Sequence, residues 1–238
     1  MTSSTSGTTS ATTGPAVLVT GGSSGLGAAV VDAVLKSGGR PYVIDRRPPA
    51  EGVPWVECDL ADTRAAEAAT RQVVEQAGGL NGVVTAAGMD VPGTLVDTPG
   101  EVWDRIVTID LLATAAVIRA AVPALKDSHG TVVTISSTLG IKAVSDATAY
   151  CAAKFGVVGF TRALAAELAG EVGVTLVVPG GMRTKFFDDR DAQYKPGPDA
   201  ILNDPANVAA AIMFALNQPA GSAVREMVVC AETETSYP

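Results

Sequence analysis

From residue 16 onward, short apolar runs alternate with stretches of helical periodicity, and this alternation limits the chain to one broad architecture. The runs fall at 16–20, 41–45, 53–57, 82–85, 131–136, 174–178 and 226–230, each about five residues long. Helical patterns lie between them, near 25–37, 62–77, 101–122, 149–170 and 205–217. Short strands joined by longer helices form right-handed βαβ units, and these build a parallel sheet with helices on both faces. The expected fold class is therefore α/β, a doubly wound parallel sheet of about seven strands. Residues 2–14 are almost entirely Thr, Ser, Gly and Ala, so 1–14 is expected to be a disordered tail. The tail lacks the basic and apolar regions of a secretion signal, so no targeting segment is expected there. No linker or repeat interrupts 15–238, which is expected to be one domain.

Composition removes several function classes. The 238 residues carry 17 Lys and Arg against 25 Asp and Glu, a net charge of −8 that argues against a nucleic-acid partner. No apolar run approaches the length needed to cross a bilayer, so no membrane association is expected. Cys58, Cys151 and Cys230 are odd in number and lack C-x-x-C spacing, which points to reduced thiols and a cytoplasmic location. His129, the single histidine, sits in a Ser-His-Gly turn and reads as an exposed loop residue. With no metal cluster expected and little thiol chemistry available, a bound cofactor is expected to supply the reactivity.

The first run leads straight into Thr20-Gly21-Gly22-Ser23-Ser24-Gly25-Leu26-Gly27, which opens the first helical stretch. Glycines at such a strand-to-helix turn let a pyrophosphate approach the backbone, and the helix N-terminus offers it free N–H groups. Asp45 ends the second run, 18 residues past Gly27. An acid there binds the adenosine ribose hydroxyls and repels a 2′-phosphate, which favours NAD over NADP. Arg46 and Arg47 follow directly and read as solvated strand-end residues, although an arginine there can also meet a 2′-phosphate. Asp59, after the third run, is placed either to meet the adenine ring or to cap the helix near 62.

Downstream stand Ser136 and Ser137, then Tyr150-Cys151-Ala152-Ala153-Lys154. Tyr and Lys at i and i+4 share a helix face, so the ammonium should lower the phenol pKa and fit it for proton transfer to a carbonyl oxygen.

In this order the motifs make residues 16 to about 230 resemble a short-chain dehydrogenase/reductase of the compact, single-domain type. The match rests on Thr20, Gly21, Gly25, Gly27, Asp45, Asp59-Leu60, Ala87-Gly88, Ser137, Tyr150, Lys154, Pro179-Gly180 and Thr184. The resemblance implies a Rossmann-like fold and transfer of hydride between a nicotinamide cofactor and a secondary alcohol or ketone. It implies Tyr150 as acid and base, Lys154 as the residue that tunes it and binds the nicotinamide ribose, and Ser137 as the donor to the substrate oxygen. Ser137 is chosen over Ser136 by its spacing of 13 from Tyr150. Cofactor contacts are implied for Gly21, Ser23, Ser24, Gly25, Leu26, Gly27, Asp45, Arg46, Asp59, Leu60, Ala87, Gly88, Tyr150, Lys154, Pro179, Gly180, Met182 and Thr184. Two positions depart from the family pattern. Thr85-Ala86-Ala87-Gly88 replaces the usual N-N-A-G, and Asp110 stands where an Asn helps hold a proton-relay water.

The stretch 181–203 lacks a core pattern and reads as a lid bringing Met182, Phe186, Phe187 and Tyr194 over the site. Met89, Leu139, Ile141 and Val144 are expected to line the opposite wall, which implies a small, mostly apolar carbonyl or alcohol substrate. Apolar residues around the helices near 101–122 and 149–170 (Ile106, Leu111, Leu112, Val117, Val157, Val158, Phe160 and Leu164) suggest a homo-oligomer, tetramer or dimer. Two rival readings compete. A non-catalytic NAD(H)-binding regulator or scaffold would have no need of Ser137, Tyr150 and Lys154 together, and a sugar epimerase or dehydratase would need a larger substrate domain.

Overall fold

The computed structural model describes residues 14–237. The expected tail therefore lies outside the described residues except for Gly14, whose carbonyl accepts from Arg40 Nε at 3.0 Å. Seven strands form one sheet: β1 (Ala16–Thr20), β2 (Arg40–Asp45), β3 (Trp55–Glu57), β4 (Gly82–Thr85), β5 (Thr131–Ile135), β6 (Gly173–Pro179) and β7 (Glu226–Val229). Their order is β3-β2-β1-β4-β5-β6-β7, and every neighbouring pair is parallel. The chain leaves β1 towards β2 on one side and returns to β4 on the other. A crevice therefore opens at the C-terminal ends of β1 and β4, where Thr20 pairs with Thr85.

The helices are α1 (Gly25–Lys36), α2 (Thr63–Ala77), α3 (Gly100–Val107), α4 (Ala113–Ser128), α5 (Thr148–Glu167) and α6 (Pro205–Leu216). Alternate residues of each strand supply two cores. Leu18, Ile44, Val83, Val132 and Val174 pack with Val73 of α2, Leu125 of α4 and Leu164 of α5. Val17, Val19, Val43, Val84 and Val133 face the other way, onto Val30 and Val34 of α1 and Val208 and Ile212 of α6. The inner strands, buried on both faces, read as apolar runs without alternation, whereas the edge strands β3 and β7 are more exposed. β3 starts two residues later than its apolar run because Pro54 has no N–H to give the ladder, although its carbonyl still accepts from Val43 N.

The helix expected at 101–122 is longer. It runs Gly100–Ser128, past Pro123, and ends where His129 takes left-handed backbone at φ 50°. His129 is exposed, as read from its turn. By length and composition this helix is long and apolar enough to cross a membrane, contrary to the expectation that no segment is. Half of its most apolar window, however, is buried inside the fold. Its apolar character follows from packing against α2 on one side and α5 on the other.

One turn of that helix is widened. Thr108–Leu112 forms a π turn between α3 and α4, and the Ala113 N–H reaches back five residues to the Thr108 carbonyl. Such single wide turns recur at functional sites. Asp110, at its centre, is 1% exposed.

Candidate active site

The glycine loop is shaped for a close backbone approach. Gly21 takes φ +71° at the end of β1, and a Cβ there would come within 2.8 Å of Ala87 Cα. Two bonds lock the turn to its neighbouring strands, Gly21 N–H to Ile44 O at 3.0 Å and Ala87 N–H to Thr20 Oγ1 at 3.2 Å. Ser24 stands at the N-cap of α1 with extended backbone and no side-chain cap, which leaves the first-turn N–H groups free for a phosphate. Thr184 faces this loop, 3.6 Å from where a Cβ of Gly25 would lie. Asp45 Oδ2 accepts from Ser23 N at 3.1 Å and Ser23 Oγ at 2.6 Å, so the acid at the end of β2 also braces the loop. This donor set fits a dinucleotide pyrophosphate, with Asp45 beside the loop at the end of β2.

The reacting centre lies across the crevice, where β5 and α5 meet. Ser136 Oγ is committed to the Lys154 carbonyl at 2.9 Å, whereas Ser137 stands beside Tyr150 and its oxygen accepts only from Leu139 N. Tyr150 and Lys154 are buried one turn apart on α5, with Nζ 5.4 Å from the ring centroid. Lys154 Nζ donates to Ile135 O at 3.2 Å and forms an ion pair with Asp110 Oδ2 at 3.4 Å. The other carboxylate oxygen, Oδ1, accepts from Met89 N at 2.8 Å, while Oδ2 has no hydrogen-bond partner of its own.

Electrostatics in this cluster do not follow the simple sequence expectation. Lys154 pulls the Tyr150 phenol down, and so does Ser137. Burial pushes it up more strongly, and the Asp110 and Asp90 carboxylates add to the rise, so the net direction is upward. Burial likewise works against the Lys154 ammonium, but Asp110, Tyr150 and Asp90 outweigh it and raise its pKa. Asp110 is itself lifted by burial, with Lys154 and the Met89 N–H pulling it back.

The family model for short chain dehydrogenases matches residues 15–195. The chain belongs to this family. It is 29% identical to mouse (Mus musculus) L-fucose dehydrogenase, over 94% of this chain and 90% of that protein. It is 30% identical to 2,5-dichloro-2,5-cyclohexadiene-1,4-diol dehydrogenase from Sphingobium indicum, over 84% of this chain and 88% of that protein. In fold it resembles the aldohexose dehydrogenase of Thermoplasma acidophilum, with a TM-score of 0.83, 22% identity, and coverage of 91% and 92% of the two chains.

The short chain dehydrogenase relatives include further alcohol-handling oxidoreductases, such as 2-(S)-hydroxypropyl-CoM dehydrogenase 3 of Xanthobacter autotrophicus. Several expected contacts take a different form in this member. Leu26 and Leu60 bury their side chains in the two cores, so only their backbones are available to a cofactor. Asp59 does not cap α2, because Asp62 does, accepting from Arg64 N and Ala65 N. Instead Asp59 is held by Arg105, through both carboxylate oxygens, at 2.8 and 3.1 Å. That pairing and the Ala61 N–H outweigh burial and keep the Asp59 carboxyl below its usual range. Met182 packs against the α1–α6 core, and its carbonyl accepts from Thr184 N.

The stretch 181–203 does close over the site. Its ends are pinned by Asn203 N–H to Gly181 O and Arg183 N–H to Asn203 O, at 2.9 and 2.8 Å. Phe186 lies on Tyr150 with ring centroids 5.9 Å apart, and Met89 and Leu139 join the same cluster. Ile141 and Val144, expected in that wall, are instead 41% and 45% exposed. The substrate wall is also less apolar than expected. Arg190 lies against both Phe186 and Phe187, its guanidinium carbon 4.9 and 4.7 Å from their centroids, and pairs with Asp90 Oδ2 at 2.8 Å. Both side chains are largely buried, and Arg190 Nε has no hydrogen-bond partner among the described residues. Burial raises the Asp90 carboxyl to about 6 despite Arg190. This pair spans 100 residues of sequence and has no local signature; its one hint is Asp90 standing two residues past Gly88.

The helix residues expected to leave an apolar surface mostly do not. Ile106, Val117, Val157, Val158 and Leu164 are buried within the chain, because α3, α4 and α5 pack on the sheet and on one another. Leu112 at 49% remains exposed, joined by Phe155 at 43%, and Leu111 and Phe160 are partly covered.

Proposed function

We propose that this short chain dehydrogenase interconverts a small secondary alcohol and its ketone, with NAD(H) preferred over NADP(H) and Tyr150 as the acid and base. The observation that carries this reading is the buried Tyr150 phenol, set between the Ser137 hydroxyl and the Lys154 ammonium at the end of the phosphate-shaped crevice. The nicotinamide supplies the hydride, and the chain supplies position and protons. In the reductive direction Tyr150 O–H donates its proton to the substrate oxygen as negative charge develops there. Ser137 O–H, its oxygen already turned to Leu139 N–H, donates a second hydrogen bond to the same oxygen. A donor aimed at developing charge is worth roughly 10²–10³ in rate, and a placed general acid roughly 10²–10⁴. In the oxidative direction the Tyr150 phenolate takes the proton back, and Lys154 stabilises it.

Asp45 supports the NAD preference, since a 2′-phosphate would meet a carboxylate already turned to the loop by Ser23. Met89, Leu139 and Phe186 around Tyr150 support a substrate of small, mostly apolar skeleton. The relatives named for a sugar and a cyclic diol support an alcohol as the reacting group. A panel of secondary alcohols and ketones, followed at 340 nm with NAD(H) and NADP(H) side by side, tests this reading. Turnover with NAD(H) is expected, and faster turnover with NADP(H) on every substrate would overturn the cofactor assignment.

A further inference from the structure

The segment after β7 doubles back over the ends of β5 and β6. Glu234 Oε2 accepts the Gly181 N–H at 2.9 Å, and Oε1 accepts the N–H and O–H of Ser236 at 3.0 and 2.7 Å. Ser236 Oγ lies 2.7 Å from Thr138 Oγ1. A carboxylate only accepts, so the single Ser236 hydroxyl proton goes to Glu234 and the Thr138 O–H donates to Ser236. One chain of hydrogen bonds therefore runs from the β6 loop to the β5 loop. Lys142 Nζ, donating to Thr235 O at 3.3 Å, ties the same tail down a second time. Burial works against the Glu234 carboxylate, but its hydrogen bonds outweigh burial and hold the carboxyl below its usual range.

Both ends of this chain abut the proposed site. Thr138 follows Ser137, and Gly181 follows Pro179-Gly180 and leads to Met182 and Thr184. The fit is close, because a Cβ on Gly180 would collide with the Glu234 carboxylate. A Cβ at 180 would have to push the Glu234 side chain aside, away from the Gly181 N–H.

We propose that Glu234 is a positioning residue that clamps the 179–184 loop to the Ser137 loop and so fixes the nicotinamide end of the bound dinucleotide. The inference rests on the dehydrogenase reading above. Two readouts of Glu234→Ala test it, with Glu234→Gln beside it as a variant that keeps one acceptor. In the protein without cofactor, hydrogen exchange at the Gly181 amide should quicken about ten-fold, as expected when a bonded amide loses its acceptor. In fluorescence titration NADH should bind about ten-fold more weakly, the loss of one charge-assisted hydrogen bond. AMP, which carries only the adenosine end, should bind within two-fold of wild type. Glu234→Gln should fall between Ala and wild type in both readouts. Unchanged Gly181 exchange, or equal weakening of NADH and AMP, would overturn the clamp. Failure of the wild type to bind NADH or NADPH would instead strike the dehydrogenase reading, and Gly181 exchange would still decide the clamp.

Discussion

Asp110 Oδ2 stands 3.4 Å from Lys154 Nζ, and the two side chains are 0% and 5% exposed. A buried carboxylate beside the lysine strengthens the ammonium and cancels part of its field at the phenol. Asp110 therefore raises the pKa of Tyr150 as well as that of Lys154. Oxidation needs the phenolate, so its rate should rise into alkaline pH. Removing the carboxylate lowers the phenol pKa, and Asp110→Asn should move the oxidative optimum towards neutrality by about one unit, equivalent to about 1.4 kcal/mol. Rate against pH on both proteins, with chemistry limiting, checks this. Superimposable profiles would mean that Asp110 has no electrostatic hold on Tyr150.

Asp45 has two tasks that substitution should separate. In the proposed NAD(H) mode it meets the ribose hydroxyls, and it accepts two hydrogen bonds from Ser23 in the phosphate loop. Asp45→Ala should improve NADPH use, with Arg46 free to meet the 2′-phosphate. The same change should weaken NADH binding about ten-fold, because the loop loses its brace. Tighter binding of NADPH than of NADH by the wild type would contradict the role given to this acid.

Much of the fold is legible in the amino-acid sequence. The inner strands are visible because a parallel sheet buried on both faces writes itself as short apolar runs, and Tyr150 and Lys154 can be paired because helix spacing is local. The π turn was not legible, since nothing in Val107-Thr108-Ile109-Asp110-Leu111 distinguishes a widened turn from an ordinary one. The helix expected to end near 122 continues past Pro123 to Ser128 and stops only at left-handed His129. The contacts that were missed lie far apart in sequence: Asp90 with Arg190, Asp59 with Arg105, and Glu234 with Gly181. Each depends on two loops meeting over the sheet, which no local pattern encodes.

The Asp90–Arg190 pair should make substrate capture depend on pH. The Asp90 carboxyl is raised to about 6, so it gains a proton as pH falls through that value and loses its charge attraction for Arg190. The lid then loses its tie to the loop after β4. KM for substrate should change with an inflection near pH 6, and Asp90→Asn should remove that inflection. A KM profile that is identical in the two proteins would show that the pair does not govern the lid.

Self-association is expected through the exposed strip that includes Leu112 and Phe155. Leu112→Glu combined with Phe155→Glu should reduce the mass found by light scattering at micromolar concentration. A monomer mass for the wild type would refute this.

Tyr150 carries the central claim, and Tyr150→Phe tests it most directly. The substitution removes one oxygen from a side chain packed between Lys154 and Phe186, so the fold and the cofactor crevice should persist. On a substrate that the wild type turns over, kcat should fall by at least about 10²-fold, the share of a placed general acid, while the NADH dissociation constant stays within two-fold. Lys154→Ala, by contrast, should impair both. Turnover by Tyr150→Phe equal to wild type would contradict the mechanism proposed for this site.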